Sequence, residues 1–547
     1  MNSAANPNRR LITIILLFTV VTTWIWGTNN LSLFDWDELN FAEIGREMKE
    51  SGNFLQPQIN YQAFHEKPPL FAWMQLASFQ LWGIGSLGAS FPNILCGLFS
   101  VLVLWWQGRR WFSDRFGWWW AAFMAGSILP ALYFRSGIID PWFNLFILLG
   151  LLPALAGKPL SLRQIFICGL WLGLAVLTKG PAAGLIAGLC WLGLLVWEPS
   201  SRWQRSLQYF STGLLALIPI AVWLYFLWQV DNGFFASKFL QYQWRLFIRE
   251  DAGHGGFPGY HFVVLLIGCF PAALFALPRL LRSKGEPSAQ DRGMRILFWV
   301  VLLLFSIVNT KIVHYSSLCY FPLAYFAARW VTEGETSLSS ARWLRVGGAG
   351  IWGLYGLASL LLPLTAWNLG KLRPYLQEEE LLSRLALDVN WPWYCLLPFV
   401  LLLLGGVVLS QFRHRALHLR AGAHLLLAFG FITASLPVFA PRIQQYSQGS
   451  MVEFYRGLAG QEVFLGTAYH KSYAHWFYGE IPPDVYAEGC QERQCRFHEK
   501  ITKPLYFSSP LRKRDQVLRE VPDAILLYEK GGFAFYRRPA IATKSME

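Results

Sequence analysis

The chain has 547 residues, of which 54% are hydrophobic, 16% are aromatic and only 15% are charged. Soluble proteins average about 25% charged residues, so this composition excludes a string of ordinary soluble domains. The apolar residues also come in runs that suit membrane-spanning helices of roughly 20 residues each. The sequence therefore predicts an α-helical polytopic membrane protein.

The formal net charge of +14 can be explained in more than one way. No basic motif with a nucleic-acid-binding pattern occurs, so we expect no nucleic-acid partner. Membrane proteins concentrate Lys and Arg in their cytoplasmic loops, and this accounts for most of the charge. Recognition of an anionic lipid substrate remains open as a second contribution.

The first apolar run, residues 11–26, follows Arg9 and Arg10 and is not followed by a small-residue cleavage site. It is therefore predicted to be an uncleaved first span with its N-terminus in the cytoplasm. Twelve further apolar runs bring the prediction to thirteen spans. These runs are 87–106, 117–134, 140–156, 165–179, 181–197, 207–229, 261–281, 294–310, 315–331, 346–367, 391–411 and 421–440.

Residues 71–82 form a shorter apolar segment that carries Gln75 and Gln80. If it spanned the membrane, the following turn would be cytoplasmic without a single basic residue. We therefore predict an interfacial or re-entrant helix there, inside a first periplasmic loop of residues 27–86.

Basic residues support this topology, because they collect in the turns that it places in the cytoplasm. They are Arg109, Arg110, Arg115, Lys158, Arg163, Arg202, Arg205, Arg279, Arg282, Lys284, Arg292, Arg295, Arg413, Arg415 and Arg420. The topology divides the chain into a membrane domain, 1–440, with a later periplasmic loop at 230–260, and a periplasmic domain, 441–547. Short apolar runs at 462–465, 524–528 and 532–536 predict strands, and so a small α/β fold, in the second.

Six of the eight cysteines lie singly in or beside apolar runs and are predicted to be buried core residues. They are Cys96, Cys168, Cys190, Cys269, Cys319 and Cys395. Cys490 and Cys495 stand close together in the C-terminal domain. A disulfide between them is plausible in an extracytoplasmic compartment, while their spacing alone is a poor zinc signal.

The segment directly after the first span carries Asp35, Asp37 and Glu38. Asp35 or Asp37 is a candidate N-cap for a helix over residues 38–50, which Gly52 would close. The same carboxylates would lie at the depth of lipid headgroups, where ionisable residues are candidates for function. Both interpretations remain open on the local pattern.

Charged residues recur in every other predicted outer-side turn, and each has a structural alternative. Lys67 beside Glu66 is either a solvated pair or a phosphate ligand. Asp140, before Pro141, is either a helix cap or part of a site with Arg135. Lys179 either extends along apolar surface to reach water or binds phosphate. The remaining candidates are Lys238, Arg245, Arg249, Glu250, Asp251 and His254 in the later loop, and Lys311, His314 and Tyr315 beyond it.

No nucleotide-binding loop, HExxH or GxSxG motif occurs in the chain, so nucleotide hydrolysis, zincin and α/β-hydrolase chemistry lack support. An outward-facing site for an anionic lipid is what the charged turns predict.

The stretches DELNFAEIGREMKESGNFLQPQIN and FHEKPPL, with RSGIIDPW, LTKGP and TKIVHYSSLCYFPL in order after them, resemble bacterial family 39 glycosyltransferases. That family includes aminoarabinose-to-lipid A transferases and relatives of protein O-mannosyltransferases. The resemblance covers roughly the whole chain. It implies a GT-C fold, an undecaprenyl-phosphate-type sugar donor, and a lipid A, envelope glycan or protein acceptor at the inner membrane of a bacterium.

The resemblance also assigns roles. Asp37 is implied as the catalytic base, with Glu38 and Asp140 as the other acidic residues of the site. Lys67 is implied as a ligand of the donor phosphate, with Glu66 beside it. We expect further phosphate or substrate contacts from Lys179, Arg245, Arg249, Lys311, His314 and Tyr315.

Three positions depart from the family pattern. Asn40 stands where the family often has Arg, and residues 90–92 replace an expected Arg-Leu-Pro. Tyr242 replaces a histidine associated with a metal in the aminoarabinose branch, so a metal site using Glu66 and His254 is uncertain. A phosphate monoester leaving group does not require a divalent ion, so we expect no obligatory cofactor.

Two rival functions remain open. A flippase or transporter for a polyprenyl-linked glycan would need charges along a path through the bilayer, whereas the predicted spans are nearly uncharged. A glycan ligase using diphosphate-linked donors usually places its key residues in a large later loop, whereas the densest cluster here is in the first.

Overall fold

A computed structural model of the chain describes residues 20, 22–25, 31–197, 202–248, 256–282, 286–333, 338–483, 497 and 501–540. Helices dominate these residues and carry the site at their ends. In chain order they are α1 Asp37–Ser51, α2 Leu70–Trp82, α3 Ser86–Trp111, α4 Asp114–Gly126, α5 Ile128–Tyr133, α6 Asp140–Leu155, α7 Leu162–Lys179, α8 Ala182–Trp197, α9 Arg202–Ala216, α10 Ile218–Asp231, α11 Phe234–Ile248, α12 Tyr260–Val263, α13 Ala272–Leu281, α14 Ala289–Ile307, α15 Tyr320–Glu333, α16 Leu338–Trp367, α17 Leu369–Leu372, α18 Glu379–Leu385, α19 Leu397–Gln411, α20 Leu417–Gln444, α21 Ser450–Arg456, α22 Ala474–Phe477 and α23 Arg514–Glu520.

Shorter π and 3-10 turns extend several of these helices. They are the π turns Val264–Gly268 and Gln445–Gly449 and the 3-10 turns Val313–Cys319, Arg373–Tyr375, Trp393–Leu396 and Leu511–Lys513. The strands are β1 Gln58–Ile59, β2 Gln62–Ala63, β3 Phe464–Thr467, β4 Leu505–Pro510, β5 Ile525–Lys530 and β6 Phe533–Arg538.

Helices lie at each of the twelve predicted spans after the first, which falls largely outside the described residues. Among the described residues, six helical stretches are long and apolar enough to cross a membrane, and a bent pair, Tyr260–Gly268 with Ala272–Leu281, makes a seventh if it counts as one span. Others, such as α6 and α8 with 16 residues each, are apolar but shorter. The chain is a multi-pass membrane protein, and the count of thirteen stays a prediction.

The ambiguous segment 71–82 is helix α2, whose 13 residues are fewer than the roughly 20 that a span requires. It packs between α1 and α3 through Phe79, which is buried. A side chain at Gly45 of α1 or Gly88 of α3 would come within 3.0 or 2.7 Å of the Phe79 ring. Glycine at these two positions therefore permits the close packing of α2.

The C-terminal residues form a four-stranded sheet in the order β3-β4-β6-β5. Strand β3 pairs with β4 in parallel, and the other pairs are antiparallel. The three predicted strands correspond to β3, β5 and β6, displaced by one or two residues, while β4 was not predicted. The six cysteines predicted as core residues are buried, and Cys490 and Cys495 lie outside the described residues.

Candidate active site

Helix α1 begins at Asp37 and ends before Gly52, which has a left-handed backbone with φ of 69°. The predicted C-terminal stop is therefore confirmed. The predicted N-cap is wrong: the cap residue is Trp36, and no side chain makes a capping hydrogen bond. Asp35 instead accepts hydrogen bonds from the backbone N–H groups of Trp36, at 2.8 Å, and Tyr473, at 2.9 Å.

Asp37 therefore does not cap the helix. Its side chain is 44% exposed and faces a charged cluster. Its Oδ2 lies 3.3 Å from Nε2 of His314. The same Nε2 lies 3.8 Å from Oδ2 of Asp140. One imidazole therefore stands between two carboxylates that are more than 100 residues apart in sequence.

Asp140 was considered as a helix cap, and the structure contradicts that interpretation. The N-cap of α6 is Ile139, and Asp140 is the first residue of the helix with Pro141 second. Its carboxylate forms a hydrogen-bonded ion pair with Nζ of Lys179, and its side chain is only 4% exposed. The pair is buried, so each partner depends on the other for compensation of its charge.

Lys179 is the last residue of α7, where Gly180 with φ of 85° turns the chain. Its Nζ also lies 5.0 Å from the ring centre of Tyr315 and 5.6 Å from that of Phe143. Aromatic faces attract cations at this range. The two rings and Asp140 together fix the ammonium group beside the cluster.

Lys67 completes the cluster from the loop before α2. Burial lowers the pKa of Lys67 from its ordinary value, and the positive charge of Lys179 lowers this pKa further, while Glu66, Asp37 and Asp140 oppose both effects. These mutual effects indicate that two ammonium groups and three carboxylates lie near one another. Because Lys179 is already paired with Asp140, Lys67 is the ammonium group of the cluster that can attract an anion such as phosphate.

The protonation of His314 follows from its enclosure. Burial lowers the pKa of His314, more than the neighbouring carboxylate of Asp140 raises it. The imidazole is therefore mostly neutral at pH 7, and its Nε2 contacts Oδ2 of Asp37 at 3.3 Å. This contact involves one oxygen of the Asp37 carboxylate and leaves the second available to a substrate.

Glu38, predicted as catalytic beside Asp37, has both carboxylate oxygens engaged with backbone. Oε2 accepts from the N–H of Phe34 and Oε1 from the N–H of Gly137, both at 2.8 Å. Burial raises the pKa of Glu38. The contacts tie the start of α1 to the loop before α6, so Glu38 positions the two segments that carry Asp37 and Asp140.

Lys311, predicted to contact substrate, lies elsewhere. Its Nζ donates to the carbonyl oxygens of Phe305, Ser306 and Val308, at 3.2, 2.6 and 2.5 Å. These are groups at the C-terminal end of α14, where the last carbonyls of a helix lack intrahelical partners. The contacts indicate a helix-capping role for Lys311.

The later-loop candidates are only partly described. Arg245, on α11, is exposed, and its guanidinium lies 5.0 Å from the ring centre of Tyr242. The neighbouring Gln243 donates to the backbone carbonyl of Glu66 at 3.3 Å, which joins α11 to the Lys67 loop. Arg249 and His254 lie outside the described residues. Among those that are described, no group of three or more His, Cys, Asp or Glu side chains is arranged to hold a metal ion, and metal binding stays a prediction.

Sequence reasoning missed a buried network on the other face of α1. Arg46 makes a two-pronged ion pair with Glu43, at 2.7 and 2.8 Å. Glu47 accepts from the backbone N–H of Tyr61 at 2.7 Å, and the Tyr61 hydroxyl donates to the carbonyl of Ile481 at 2.8 Å. The spacing of residues 43, 46 and 47 places them on one helix face, which was the available signal. The network joins α1, the β1–β2 hairpin and the C-terminal domain.

Comparison with known proteins adds to this geometry. Residues 66–226 match the family of dolichyl-phosphate-mannose-protein mannosyltransferases. The undecaprenyl phosphate-alpha-4-amino-4-deoxy-L-arabinose arabinosyl transferase of Enterobacter sp. (strain 638) is 25% identical over 430 residues, covering 72% of this chain and 76% of that protein. The transferase of that name from Pseudomonas paraeruginosa (strain DSM 24068 / PA7) is 27% identical over 443 residues, covering 79% and 77%.

The fold matches that of ArnT from Cupriavidus metallidurans, whose crystal structure bound to undecaprenyl phosphate gives a TM-score of 0.75. The sequences are 19% identical, and the match covers 97% of this chain and 99% of that one. The apo structure of the same protein gives a TM-score of 0.74. The structural matches confirm the predicted GT-C fold. Together with the curated relatives, they confirm the predicted resemblance to GT-C glycosyltransferases and the predicted enzyme class.

Proposed function

We propose that this membrane glycosyltransferase transfers a sugar, with inversion, from a polyprenyl phosphate donor of the undecaprenyl phosphate type. The acceptor is a hydroxyl of lipid A, another envelope glycan or a protein at the bacterial inner membrane. The observation that carries the proposal is the cluster that joins Asp37, His314 and Asp140 to Lys179 and Lys67. The names of the relatives and the bound lipid of the matched crystal structure support the donor class.

The proposed reaction requires a base. Asp37 takes the proton of the acceptor hydroxyl as the oxygen attacks the anomeric carbon of the donor sugar. The His314 contact at 3.3 Å holds one carboxylate oxygen, so the other faces the acceptor. A positioned base contributes typically about 10²- to 10⁴-fold in rate.

The leaving group is a polyprenyl phosphate, whose negative charge increases as the glycosidic bond breaks. Lys67 and Lys179 stabilise this charge, and their location at one end of the helices supports a phosphate position beside the anomeric carbon. Fixed cations act most strongly where charge develops in a site that excludes water. The balance of the step is simple: one C–O bond forms, one breaks, and the acceptor proton goes to Asp37.

We further propose that this site and the C-terminal domain face the periplasm, with the N-terminus in the cytoplasm. The C-terminal domain contacts α1 on the side of the site through Tyr473 and Ile481. The division into 1–440 and 441–547 is part of the proposal. Helix α20 runs four residues past this boundary, to Gln444, and the sheet of the C-terminal domain begins at Phe464.

The test is transfer by the purified full chain in phosphatidylcholine vesicles that contain a polyprenyl monophosphate sugar and lipid A. We expect sugar on the acceptor with inverted anomeric configuration, and a raised donor KM for Lys67→Ala. A protein that moves the donor across the bilayer without breaking the glycosidic bond would be a flippase. One that uses only the diphosphate-linked sugar would be a ligase. Either result would overturn the proposal.

A further inference from the structure

A cavity of about 700 Å³ lies between helices α16, α19 and α20. Along α16 it extends from Arg345 to Leu357, a distance of about 18 Å at 1.5 Å per residue. One leaflet of the hydrocarbon core is about 15 Å thick, so the cavity has the depth of one leaflet. It lies at the ends of the helices that are remote from the active site. Arg420 lines it, whereas Gln444, about 36 Å further along α20, contacts Ser32 near the start of α1.

Three arginines line one end of this cavity. Arg345 comes from α16, Arg413 from the turn after α19, and Arg420 from the first turn of α20. Arg345 and Arg413 are exposed, whereas Arg420 is only 6% exposed. Among the described residues, none of the three has an ion pair or a side-chain hydrogen bond. Arg420 lies close enough to Arg345 for the two positive charges to repel each other, so this end of the cavity carries an uncompensated positive charge.

The preference of cytoplasmic turns for basic residues does not by itself account for Arg420. Lys and Arg in exposed turns satisfy that preference, and Arg415, exposed in the turn before α20, is such a residue. Arg420 is instead buried on the helix. Burial of a charge is costly unless the charge is paired and hydrogen-bonded. Arg420 therefore calls for an anion that binds from outside the chain.

A neutral hydrogen-bond donor lies one helical turn deeper than Arg420. His424 lines the cavity, and its Nδ1 accepts a hydrogen bond from Nε1 of Trp352 at 3.1 Å. An indole N–H only donates, so Nδ1 is the acceptor and Nε2 carries the proton of the neutral ring. The cavity thus offers positive charge at its end and an uncharged donor further in. This order suits a ligand with an anionic headgroup and an ester carbonyl below it.

The deeper part of the cavity is apolar and opens sideways to lipid. Gly353 and Gly356 line it, and a side chain at either would meet no atom within 4 Å. Leu357 and Leu403 line it as well and are 53% and 58% exposed. Helices α16 and α19 bury only 22% and 17% of their apolar stretches in the protein, so most of each faces lipid. An acyl chain therefore has a lateral path to the groove that the glycines leave.

We propose that this cavity binds an anionic glycerophospholipid of the leaflet opposite the active site, which is the cytoplasmic leaflet in the proposed topology. Its phosphate lies among Arg345, Arg413 and Arg420, and one acyl chain lies along the glycines of α16. Guanidinium groups bind phosphate with paired, charge-assisted hydrogen bonds, and basic pockets between spanning helices on the cytoplasmic side suit anionic headgroups. The site shares no residue with the catalytic cluster, so the inference goes beyond the proposed function.

The binding test needs neither donor nor acceptor. The purified full chain is titrated in detergent with phosphatidylglycerol and with phosphatidylcholine of the same acyl chains, and bound lipid is counted by native mass spectrometry. We expect phosphatidylglycerol to bind more tightly, and Arg420→Gln to weaken its binding by about 10- to 100-fold, since one charged hydrogen-bonding group is lost. Arg415→Gln, which changes an exposed arginine outside the cavity, should bind like the wild type. Equal binding of the two lipids by the wild type, or equal loss in the two variants, would overturn the site.

A second pair of variants keeps the test meaningful if Arg420→Gln does not fold. Gly350 and Gly353 both lie on α16, and a side chain at either would meet no atom within 4 Å, but only Gly353 lines the cavity. Gly353→Phe is expected to fill the groove and to abolish binding of phosphatidylglycerol, while Gly350→Phe binds like the wild type. If both phenylalanine variants bind equally, the cavity is not the lipid site.

Thermal unfolding gives an independent readout. A ligand that binds only the folded chain raises Tm as its concentration rises, so phosphatidylglycerol should raise the Tm of the wild type and of Gly350→Phe but not that of Gly353→Phe. An equal rise in all three proteins would contradict the proposal. The same titrations with a polyprenyl monophosphate test another occupant. If Arg420→Gln loses that lipid but binds phosphatidylglycerol like the wild type, the cavity holds the carrier lipid and the proposal is wrong.

Discussion

The buried pair of Asp140 and Lys179 gives a prediction in which stability and catalysis separate. The Asp140 side chain is 4% exposed and that of Lys179 is 18% exposed. In Lys179→Met the buried Asp140 carboxylate loses its ion-pair partner, and Nε2 of His314 remains 3.8 Å away. Breaking a buried ion pair from one side costs about 3–5 kcal/mol. We expect the lower end of that range for Lys179→Met, because the ammonium group of Lys67 still offsets part of the Asp140 charge.

The converse substitution is expected to be milder. Asp140→Asn leaves an ammonium group that is more exposed and keeps the ring of Tyr315 at 5.0 Å, so a loss of about 1–3 kcal/mol is expected. The double variant Asp140→Asn/Lys179→Met carries no unpaired buried charge. Its free energy of unfolding is therefore expected to return to within about 1 kcal/mol of the wild type. Sugar transfer should be lost in all three variants, because each lacks at least one member of the cluster.

The measurements are denaturant unfolding followed by tryptophan fluorescence, with linear extrapolation, and transfer to acceptor by the same preparations. The matched control is the pair of Asp291 and Arg329, at 3.2 Å with 14% and 19% exposed side chains, which takes no part in the site. Its double variant should keep transfer activity. A double variant of Asp140 and Lys179 that is no more stable than Lys179→Met would refute the reasoning about charge compensation. Wild-type transfer by that double variant would remove both residues from the site.

Three further outcomes follow from the contacts described above. Lys311→Met removes three hydrogen bonds to the end of α14. It should lower the free energy of unfolding by about 1–3 kcal/mol without changing the donor KM. A raised donor KM would show that Lys311 contacts the donor phosphate. Burial lowers the pKa of Lys67, so as pH rises this side chain loses its charge at a lower pH than an ordinary lysine. Donor affinity measured between about pH 7 and 10 should therefore fall at a lower pH in the wild type than in Lys67→Arg. Parallel pH profiles for the two proteins would contradict this. Arg46→Met leaves Glu43 and Glu47 without their cationic partner and should lower the free energy of unfolding by about 3–5 kcal/mol. Adding Glu43→Gln to Arg46→Met should restore part of that free energy.

The sequence was informative about α1 and about which turns carry charge. Residues 38–50 were predicted to form a helix that Gly52 closes, and the structure has both the helix and the glycine stop. Five charged or basic residues, from four separate turns, were expected on one face of the membrane, and Asp37, Lys67, Asp140, Lys179 and His314 do lie together. Ordered motifs that match a family were the decisive signal.

What could not be predicted is the direction of individual side chains. Lys311 and His314 are three residues apart in one turn, yet the first caps α14 and the second reaches Asp37. Local pattern equally favoured Asp140 as a cap, whereas the structure has Ile139 as the N-cap of α6 and pairs Asp140 with Lys179. Strand β4 was not predicted because Ser508, Ser509 and Pro510 follow its short apolar start, and Pro is depleted in strands.

The central claim is that Asp37 is the base of the transfer reaction. The most direct measurement is single-turnover sugar transfer by Asp37→Asn, compared with Asp114→Asn, which alters an aspartate at the first position of another helix, α4. The account predicts that Asp37→Asn folds and binds donor like the wild type but transfers sugar about 10²- to 10⁴-fold more slowly, while Asp114→Asn transfers normally. Transfer by Asp37→Asn at the wild-type rate would contradict it.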